Sequence, residues 1–366
     1  MATTSAAADA VHARLINANG QMIPGDAIEH AARMLNDGRL LAVCSASGDR
    51  LLCRADDQGV VLRLRERHVR DGLPLAVIVR DLPAAERIAR LTDADRDALL
   101  RPHAPVVLLT PRRGVRIAPA VAPNCPTLGT MLPGTPLYER LLSHCDGPLA
   151  TATLDAVGRF RAPESDSPRT PPAEADALLS CEEPCASCIG DSIVFSLGDQ
   201  VAYLRRGRAD AEIPLQLSHA AAKATVPTLA VGCDRRCAVA LLFDGQVILS
   251  EHIGDLTAPH AFQHFVRSVE ALCGQYGFEP QRVVCDCDAR QLSTQFARQL
   301  RLPLITVQHH RAHVASVLAD RGWIDPVIGV VCDGGAPGDD DRSQWGCELI
   351  RCAGADYERL GHLKYD

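Results

Sequence analysis

Residues 283–320 have the sequence VVCDCDARQLSTQFARQLRLPLITVQHHRAHVASVLAD. The short apolar runs 283–285 and 304–307 predict two strands. The segments 289–300 and about 309–320, in which apolar residues recur at helical spacing, predict two helices. The stretch therefore predicts the order strand, helix, strand, helix, which is typical of α/β proteins.

The sequence on either side continues this alternation. Asp244-Gly245 predicts a hairpin turn, and residues 259–276 predict a helix with one apolar face. Further strands are predicted at 228–232, 238–243, 247–250, 327–332 and 345–351, with a Gly/Asp loop at 333–343. Hairpin strands followed by alternating helices and strands suit one lobe of an actin-like ATPase fold. This lobe is predicted over 216–366.

The first half of the chain predicts a separate α+β domain. The Ala/Ser/Thr-rich start predicts a mobile tail over 1–23, and the domain with its joining segment is predicted over 24–215. Helical spacing at 26–37, 83–91, 93–101 and 136–143 alternates with apolar runs at 40–43, 75–79 and 106–110. The polar, proline-rich segment 155–175 predicts a long loop.

The composition opposes several classes of function. The 38 basic and 45 acidic residues give a formal net charge of −7, and aromatic residues make up 4% of the chain. The negative net charge argues against nonspecific electrostatic binding to nucleic acid or to an anionic membrane. The low aromatic content argues against extensive stacking on nucleic-acid bases. Residues 1–12 lack the basic start and apolar run of a signal peptide. The 15 cysteines are therefore expected as free thiols in a soluble, cytoplasmic protein.

The strongest chemical signal is the hexapeptide QHHRAH at 308–313. On a helix, His309 and His313 are four residues apart and share one face. Two imidazoles at this spacing can hold one divalent metal ion, with Asp333, after a predicted strand, as the candidate third ligand. The alternative is that these histidines are exposed, or hydrogen-bonded within the protein, without a metal.

Two loops give weaker signals. In the segment 333–341, glycines such as Gly334 let a backbone approach phosphate and aspartates can hold a metal, whereas the alternative is an acidic surface loop. In SEHIGDL at 250–256, Asp255 is placed to cap the following helix.

Two side-chain clusters are also weak signals. Cys181, Cys185 and Cys188 have a spacing that suits part of a zinc site, but free thiols are the alternative. The arginine-rich run RLRERHVR at 63–70 suits binding of a nucleotide phosphate or RNA, and its alternative is a solvated charged face.

Several of these motifs together resemble the HypF family, the carbamoyltransferases of nickel–iron hydrogenase maturation. They are VQHHRAHVASVLAD at 307–320, SEHIGDL at 250–256, LAVGC at 229–233 and CDGG…WGCEL within 332–349. LRERHVRDGLPLAVIVRDL at 64–82 and LGTMLPGTPLYERLL at 128–142 resemble the YrdC-like domain of that family. The resemblance covers about residues 24–364, and SEHIGDL beside the histidine motif distinguishes HypF from the related tRNA threonylcarbamoyl transferases.

The resemblance implies a chemistry, its cofactors and its partners. Carbamoyl phosphate is the substrate source, the YrdC-like domain makes carbamoyl-adenylate from carbamate and ATP with Mg²⁺, and the last domain passes the carbamoyl group to the C-terminal cysteine of HypE for cyanide synthesis. It implies iron, zinc or magnesium at His309, His313 and Asp333, and catalytic contacts from His310 and Asp255. The implied nucleotide contacts are Ser47, Gly48, Arg67, Arg70, Thr151 and Gly334.

The sequence also departs from the family's pattern. It is expected to be a short form without the acylphosphatase domain, the paired zinc-binding cysteine motifs and the second half of the last domain. The family's K-R-R-P-x-K-P is HVRDGLP at 68–74, and its T-S-A-N is TATL at 151–154. Charge-assisted contacts are worth about 1.5–3 kcal/mol each, so their joint loss weakens nucleotide binding.

These departures leave two alternatives open. One is a degenerate, non-enzymatic paralogue that binds HypE or full-length HypF. The other is an RNA-binding protein of the YrdC type, which the net charge opposes. An apolar sheet face left exposed would favour a homodimer or a partner protein.

Overall fold

The computed structural model contains two compact units, Met1–Asp210 and Ala211–Asp366. Both combine helices with sheets, which confirms the predicted α/β class. The predicted boundary between 215 and 216 falls inside a strand, Leu215–Gln216, that pairs within the second unit. The described residues are 12–45, 48–67, 73–153, 171–181, 191–207, 210, 213–217, 226–339 and 343–364.

The described strands of the first unit form one sheet of 11 strands. They are β1 (Ala13–Asn17), β2 (Leu41–Ser45), β3 (Gly48–Arg54), β4 (Ala76–Ile78), β5 (Ala89–Arg90), β6 (Val106–Pro111), β7 (Leu128–Met131), β8 (Leu149–Thr153), β9 (Ala177–Cys181), β10 (Ile193–Leu197) and β11 (Gln200–Arg205). The order is β1-β9-β2-β3-β8-β4-β7-β6-β10-β11, and β5 pairs with β6. The prediction of a mobile tail over 1–23 is wrong at β1, because this strand is held antiparallel to β9.

The central strand β2 explains how this sheet is covered on both faces. Leu41 and Val43 belong to one apolar cluster, whereas Ala42 and Cys44 belong to another. A strand with a continuous apolar run must be buried on both faces, since successive side chains point to opposite sides. The described helices of this unit are α1 (Ala27–Asn36), α2 (Gln58–Arg67), α3 (Leu82–Ile88), α4 (Asp93–Leu99) and α5 (Pro136–Ser143). Helices α1 and α5 cover one face, and α2, α3 and α4 cover the other.

A buried ion pair lies within the first unit. The Arg50 side chain on β3 is 3% exposed, and both of its terminal nitrogens donate to the Asp191 carboxylate, with Nη1 to Oδ2 at 2.7 Å. Burial disfavours the cation, but the charge and hydrogen bonds of Asp191 prevail and raise the pKa of Arg50. Removing one partner of such a pair leaves an uncompensated buried charge.

The first sheet of the second unit has six described strands. They are β12 (Leu215–Gln216), β13 (Thr228–Ala230), β14 (Ala240–Phe243), β15 (Gln246–Leu249), β16 (Arg282–Asp286) and β17 (Leu304–Val307), in the order β12-β15-β14-β13-β16-β17. The predicted hairpin turn is confirmed, since Asp244 and Gly245 join β14 to β15 with φ values of 49° and 74°. Strands β13, β16 and β17 are parallel, so their carboxyl ends lie at one edge of the sheet.

Helices α6 (Pro259–Gln275), α7 (Leu292–Gln299) and α8 (His309–Arg321) follow the predicted segments. The predicted apolar face of α6 enters the core through Phe265, Val269 and Leu272. Ala258 is the N-cap of α6, so the prediction that Asp255 caps this helix is wrong. None of the described helices has the length and apolar character needed to cross a membrane.

A separate antiparallel sheet ends the described chain. It contains β18 (Val327–Pro337), β19 (Gln344–Ala353) and β20 (Asp356–His362). The predicted Gly/Asp loop at 333–343 is wrong over 333–337, which belong to β18. The ladder shifts register between Cys332 and Ala336 and then resumes, so the intervening residues form a bulge rather than a loop.

Helix α8 packs on one face of this sheet. Val314 of the helix shares an apolar cluster with Val331, Trp345 and Ile350. On the sheet, Ile328 and Val330 are 62% and 66% exposed, because they alternate with the inward residues of β18. This matches the expected exposed apolar face, whereas a homodimer stays a prediction.

Gly329→Ala is expected to lower the free energy of unfolding of the second unit by about 1–3 kcal/mol, the usual cost of overpacking. A Cβ at this position would lie 2.4 Å from Val314 Cγ2. The chain's 2 tryptophans, Trp323 and Trp345, both belong to this unit, so urea unfolding can be followed by their fluorescence. Gly361→Ala is the matched control, since its Cβ meets nothing within 4 Å. An unchanged unfolding midpoint for Gly329→Ala would contradict the packing of α8 on β18.

Asp191→Ala is expected to destabilise the first unit by about 3–5 kcal/mol, because it leaves the Arg50 cation buried and unpaired. Amide hydrogen exchange in peptides from β3 and β8 measures the stability of this unit. The control is Glu29→Ala, which removes an ion pair to Arg33 whose side chains are 43% and 66% exposed. Such a pair is worth about 0–1 kcal/mol. Equal losses of protection in the two variants would contradict a buried role for the Arg50 pair.

Candidate metal centre

The candidate site forms where the parallel strands of the second unit end. Asp286 is the last residue of β16 and is paired with Val307, the last residue of β17. Gln308 and then helix α8 follow directly. Ligands commonly bind beyond the carboxyl ends of parallel strands, where loops and helix starts converge. The register therefore brings Asp286 close to the first turn of α8.

Gln308 fixes the start of α8. Its Oε1 accepts a hydrogen bond from the backbone N–H of Arg311 at 3.0 Å, as the N-cap residue of the helix. Its Nε2 donates to the carbonyl of Pro337 at 3.2 Å. This residue therefore joins the first turn of the helix to β18, the strand that contains Asp333.

Three side chains converge at the first turn of α8. His309 Nε2 lies 2.8 Å from Asp333 Oδ2, and His313 Nε2 lies 3.1 Å from the same oxygen. The two imidazole Nε2 atoms are 3.3 Å apart. The structure thus brings together the three residues that sequence analysis predicted as metal ligands.

Asp286 orients the His309 ring through Nδ1, the nitrogen on the side away from the cluster. Its Oδ2 lies 2.7 Å from His309 Nδ1, and its side chain is 5% exposed. A proton on Nδ1 leaves the Nε2 lone pair directed at His313 and Asp333, which is the usual arrangement behind a metal-binding histidine. The hydrogen bond to Asp286 is the main cause that raises the pKa of His309.

Both carboxylates of the site are stabilised as anions. Burial opposes the charge of Asp333, but the Gly334 N–H and the two histidines outweigh it and lower the pKa of Asp333. Burial likewise opposes the charge of Asp286, and hydrogen bonds from His309 and from the Asp288 N–H lower its pKa. Gly334 itself is exposed on β18.

The residues present fit a divalent transition metal. The ligand atoms of His309, His313 and Asp333 all lie within 4.8 Å of one another. Two imidazoles and one carboxylate form a donor set typical of iron and related metals, with coordination positions left open. The His313 and Asp333 side chains are 52% and 36% exposed, so solvent or a substrate can reach those positions.

His310 does not face this cluster of ligands. It is fully buried, its Nε2 lies 2.8 Å from the carbonyl of Gly346, and its Nδ1 lies 3.2 Å from Gln308 Nε2. Burial lowers the pKa of His310, which favours the neutral ring that these two partners require. This placement supports a structural role in joining α8 to β19 and gives no support to the predicted catalytic role.

The loop 250–256 packs against the loop that follows β13. Cys237 N donates to Gly254 O at 2.8 Å, and Leu256 N donates to Asp234 O at 2.9 Å. Asp255 is exposed and accepts hydrogen bonds from Thr257 Oγ1 at 2.7 Å and Thr257 N at 3.0 Å, which lower its pKa. Asp255 thus stabilises its own turn, and its catalytic role stays a prediction.

The predicted nucleotide contacts in the first unit are described in part. Gly48 begins β3 with a φ of 108°, which favours glycine. Thr151 lies on the neighbouring strand β8, and its buried Oγ1 has no hydrogen-bond partner in the described part of the chain. Ser47 and Arg70 lie outside the described residues, as does the side chain of Arg67.

Two of the arginines in the run 63–70 bind the protein itself. Arg63 Nη2 donates to Asp176 Oδ2 at 2.9 Å, and both terminal nitrogens of Arg65 donate to the carbonyl of Leu73 at 2.8 Å. These contacts favour a structural use of both side chains over binding of RNA.

Of the three cysteines predicted as part of a zinc site, the structure describes Cys181. Cys181 is a buried free thiol at the end of β9. Cys185 and Cys188 lie outside the described residues.

Two further residues near the candidate ligands, Asp286 and Cys233, were not predicted from the sequence. Asp286 had a usable signal, because it ends the strand that precedes the one leading into His309. Cys233 had none. Burial, followed by the charges of Asp286, Asp234 and Asp333, raises the pKa of Cys233 to about 11.

Family models match both halves of the chain. A model described as the HypF Kae1-like domain matches residues 223–320. The Sua5/YciO/YrdC model, described as telomere recombination, matches residues 33–207. The two matches correspond to the second and first units.

Similar proteins match nearly the whole chain. The carbamoyltransferase HypF of Synechocystis sp. is 30% identical over 352 residues, which are 95% of this chain and 45% of that protein. The carbamoyltransferase HypF of Rhodobacter capsulatus is 33% identical over 357 residues, which are 95% and 47%. A crystal structure of full-length HypF in the phosphate- and nucleotide-bound form has a TM-score of 0.84 and 29% identity, over 97% of this chain and 46% of that one. The chain spans about half the length of these relatives, and over nearly its whole length it is similar to HypF proteins.

Proposed function

We propose that this protein acts in carbamoyl transfer, as a HypF-type carbamoyltransferase of nickel–iron hydrogenase maturation. The observation that carries the proposal is the convergence of His309, His313 and Asp333, backed by Asp286, at the carboxyl edge of the parallel strands. Similarity to HypF proteins supports it, since these relatives are named carbamoyltransferases.

The proposed reaction has two steps, and in each of them one bond forms as another breaks. Carbamate attacks the α-phosphate of ATP, which yields carbamoyl-adenylate and pyrophosphate. The thiolate of the C-terminal cysteine of HypE then attacks the carbamoyl carbon, which yields the S-carbamoyl product and AMP. Carbamoyl phosphate is the proposed source of carbamate.

The first unit is the proposed place of adenylate formation. ATP with Mg²⁺ is the proposed cofactor, and the proposed contacts are Ser47, Gly48, Arg67, Arg70 and Thr151. The buried Thr151 hydroxyl supports this assignment, because buried polar atoms normally have a hydrogen-bond partner and a bound ligand can supply one.

The second unit is the proposed place of carbamoyl transfer. His309, His313 and Asp333 would hold a divalent metal, and Gly334 would bring its backbone to a phosphate. Iron or zinc suits this donor set better than magnesium, because magnesium prefers oxygen ligands. When bound, such an ion supplies positive charge that offsets phosphate charge and orients the acyl-adenylate.

Asp286→Asn is expected to lower metal affinity about 10–100-fold, since partners behind a ligating histidine typically contribute that much. His309→Ala is expected to abolish metal binding with the fold retained. Isothermal titration with Mn²⁺, Fe²⁺ and Zn²⁺ measures both effects. His144→Ala, which removes an exposed histidine of the first unit, is the matched control. Wild-type affinity in His309→Ala would refute the assignment of the ligands.

The purified full chain is expected to form AMP and pyrophosphate from ATP when carbamate is added with HypE. Labelled carbamoyl groups should appear on the C-terminal cysteine of HypE. HypE without that cysteine is the control for transfer, and it should leave pyrophosphate formation intact. A chain that neither turns over ATP nor binds HypE would overturn the proposal.

A non-enzymatic partner of HypE or full-length HypF is the second candidate function. The observation that favours it is the loss of both lysines from the family's K-R-R-P-x-K-P run, which is HVRDGLP at 68–74. The same assay separates the two candidates, because this one predicts a stable complex with HypE without ATP turnover.

A further inference from the structure

A pair of thiols lies beside the candidate metal centre and takes no part in the proposed chemistry. Cys332 on β18 is directly opposite Cys347 on β19 in the antiparallel ladder. Their Sγ atoms are 2.8 Å apart. Both are free cysteines, and Cys332 is exposed to solvent.

We propose that Cys332 and Cys347 form a reversible dithiol–disulfide site that reacts with low-molecular-weight disulfides such as oxidised glutathione. Two cysteines at opposed positions of a ladder have their Cα atoms about 4.5–5.5 Å apart, which lies within the range that a disulfide bridges. A disulfide bond is about 2.05 Å long, so the two sulfur atoms need to approach by less than 1 Å. The exposure of Cys332 gives the oxidant access.

The reaction proceeds by two thiol–disulfide exchanges. The Cys332 thiolate attacks one sulfur of oxidised glutathione, forms a mixed disulfide and releases one glutathione thiolate. The Cys347 thiolate then attacks the Cys332 sulfur and releases the second glutathione. Two protein thiols lose their protons and two electrons, and one oxidised glutathione becomes two reduced glutathione molecules.

The position of the pair couples it to the metal ligands. Cys332 directly precedes Asp333, and the register of β18 against β19 shifts immediately after it. Cys347 follows Gly346, whose carbonyl is bonded to His310 of α8. A covalent bond here would fix the base of the bulge that carries Asp333. We therefore expect the oxidised chain to bind metal more tightly, because a preorganised ligand loses less freedom on binding. This consequence rests on the proposed metal centre.

Peptide mapping of the full chain tests the disulfide. The reduced protein is treated with oxidised glutathione, alkylated and digested with trypsin, which cleaves after Arg342 between the two cysteines. The expected result is a linked pair of peptides that dithiothreitol separates. Cys347→Ser is expected to accumulate glutathione on Cys332, and Cys125→Ser, at a half-buried thiol of the first unit, is expected to behave as wild type. Alkylation of both Cys332 and Cys347 in the treated wild type would overturn the proposal.

Titration with Mn²⁺ tests the coupling. Mn²⁺ prefers carboxylate and imidazole ligands to thiolates, so it reports the histidine cluster rather than the cysteine pair. The expected result is a lower dissociation constant in the oxidised chain than in the reduced one, with no such change in the Cys332→Ser/Cys347→Ser variant. Equal affinities would overturn the coupling. A chain that binds no Mn²⁺ in either state would refute the metal centre, whereas the peptide map still decides the disulfide.

Discussion

The hydrogen bond between Asp286 and His309 determines the geometry of the candidate centre. Asp286 is buried, and a buried carboxylate is costly unless it has hydrogen-bond partners. Its described partners include the His309 ring and the backbone N–H of Asp288 at 2.9 Å. Asp286 is the last residue of β16, and Gln308 alone separates His309 from the end of β17. The hydrogen bond therefore depends on the parallel register of these two strands. The orientation of His309 Nε2, the candidate ligand atom, is thus set by the sheet.

The third ligand reaches the cluster through a different sheet, and helix α8 connects the two. Gln308 bonds the carbonyl of Pro337, and His310 bonds the carbonyl of Gly346. Both partners belong to the β18–β19 ladder that contains Asp333. The apolar contact of Val314 with Val331 completes this attachment. A side chain that looked catalytic in the sequence, His310, therefore contributes to the site by holding its ligands in place.

Elements with a clear local pattern of apolar residues were predicted from the sequence. Elements that exist because a neighbouring strand supplies their hydrogen bonds were not. The helix over 259–276 was predicted because its apolar residues recur at helical spacing, and the strand over 304–307 because its residues form a short, mainly apolar run. Strand β20, Asp356–His362, has no regular apolar period, since charged Glu358 and Arg359 are adjacent in it, and it is a strand because β19 supplies its hydrogen bonds. Residues 333–337 looked like a loop because glycine and aspartate dominate them, yet β19 holds their ends in a ladder.

The same distinction applies to the site. His309 and His313 were predictable because a helix places residues four apart on one face. Asp286 was not predicted, since its role depends on which strands are neighbours in the sheet. A carboxylate at the end of a strand is a weak indication of a site. It becomes a specific one only when that strand is known to pair in parallel with the strand that leads to His309. The burial of His310 depends on packing against β19, which spacing along the chain does not encode.

Three arginines of the first unit are paired with carboxylates of the same unit. Arg50 is paired with Asp191, Arg63 with Asp176, and Arg54 with Asp56 at 2.7 Å. A guanidinium matched to a carboxylate by two parallel hydrogen bonds must give up that partner before it can bind a phosphate. Lys223 and Lys364 are the chain's lysines, and both lie in the second unit. The proposed nucleotide contacts Arg67 and Arg70 belong to none of these three pairs, so under the proposed function they act on the phosphates of ATP together with the Thr151 hydroxyl and the Mg²⁺ that accompanies the nucleotide.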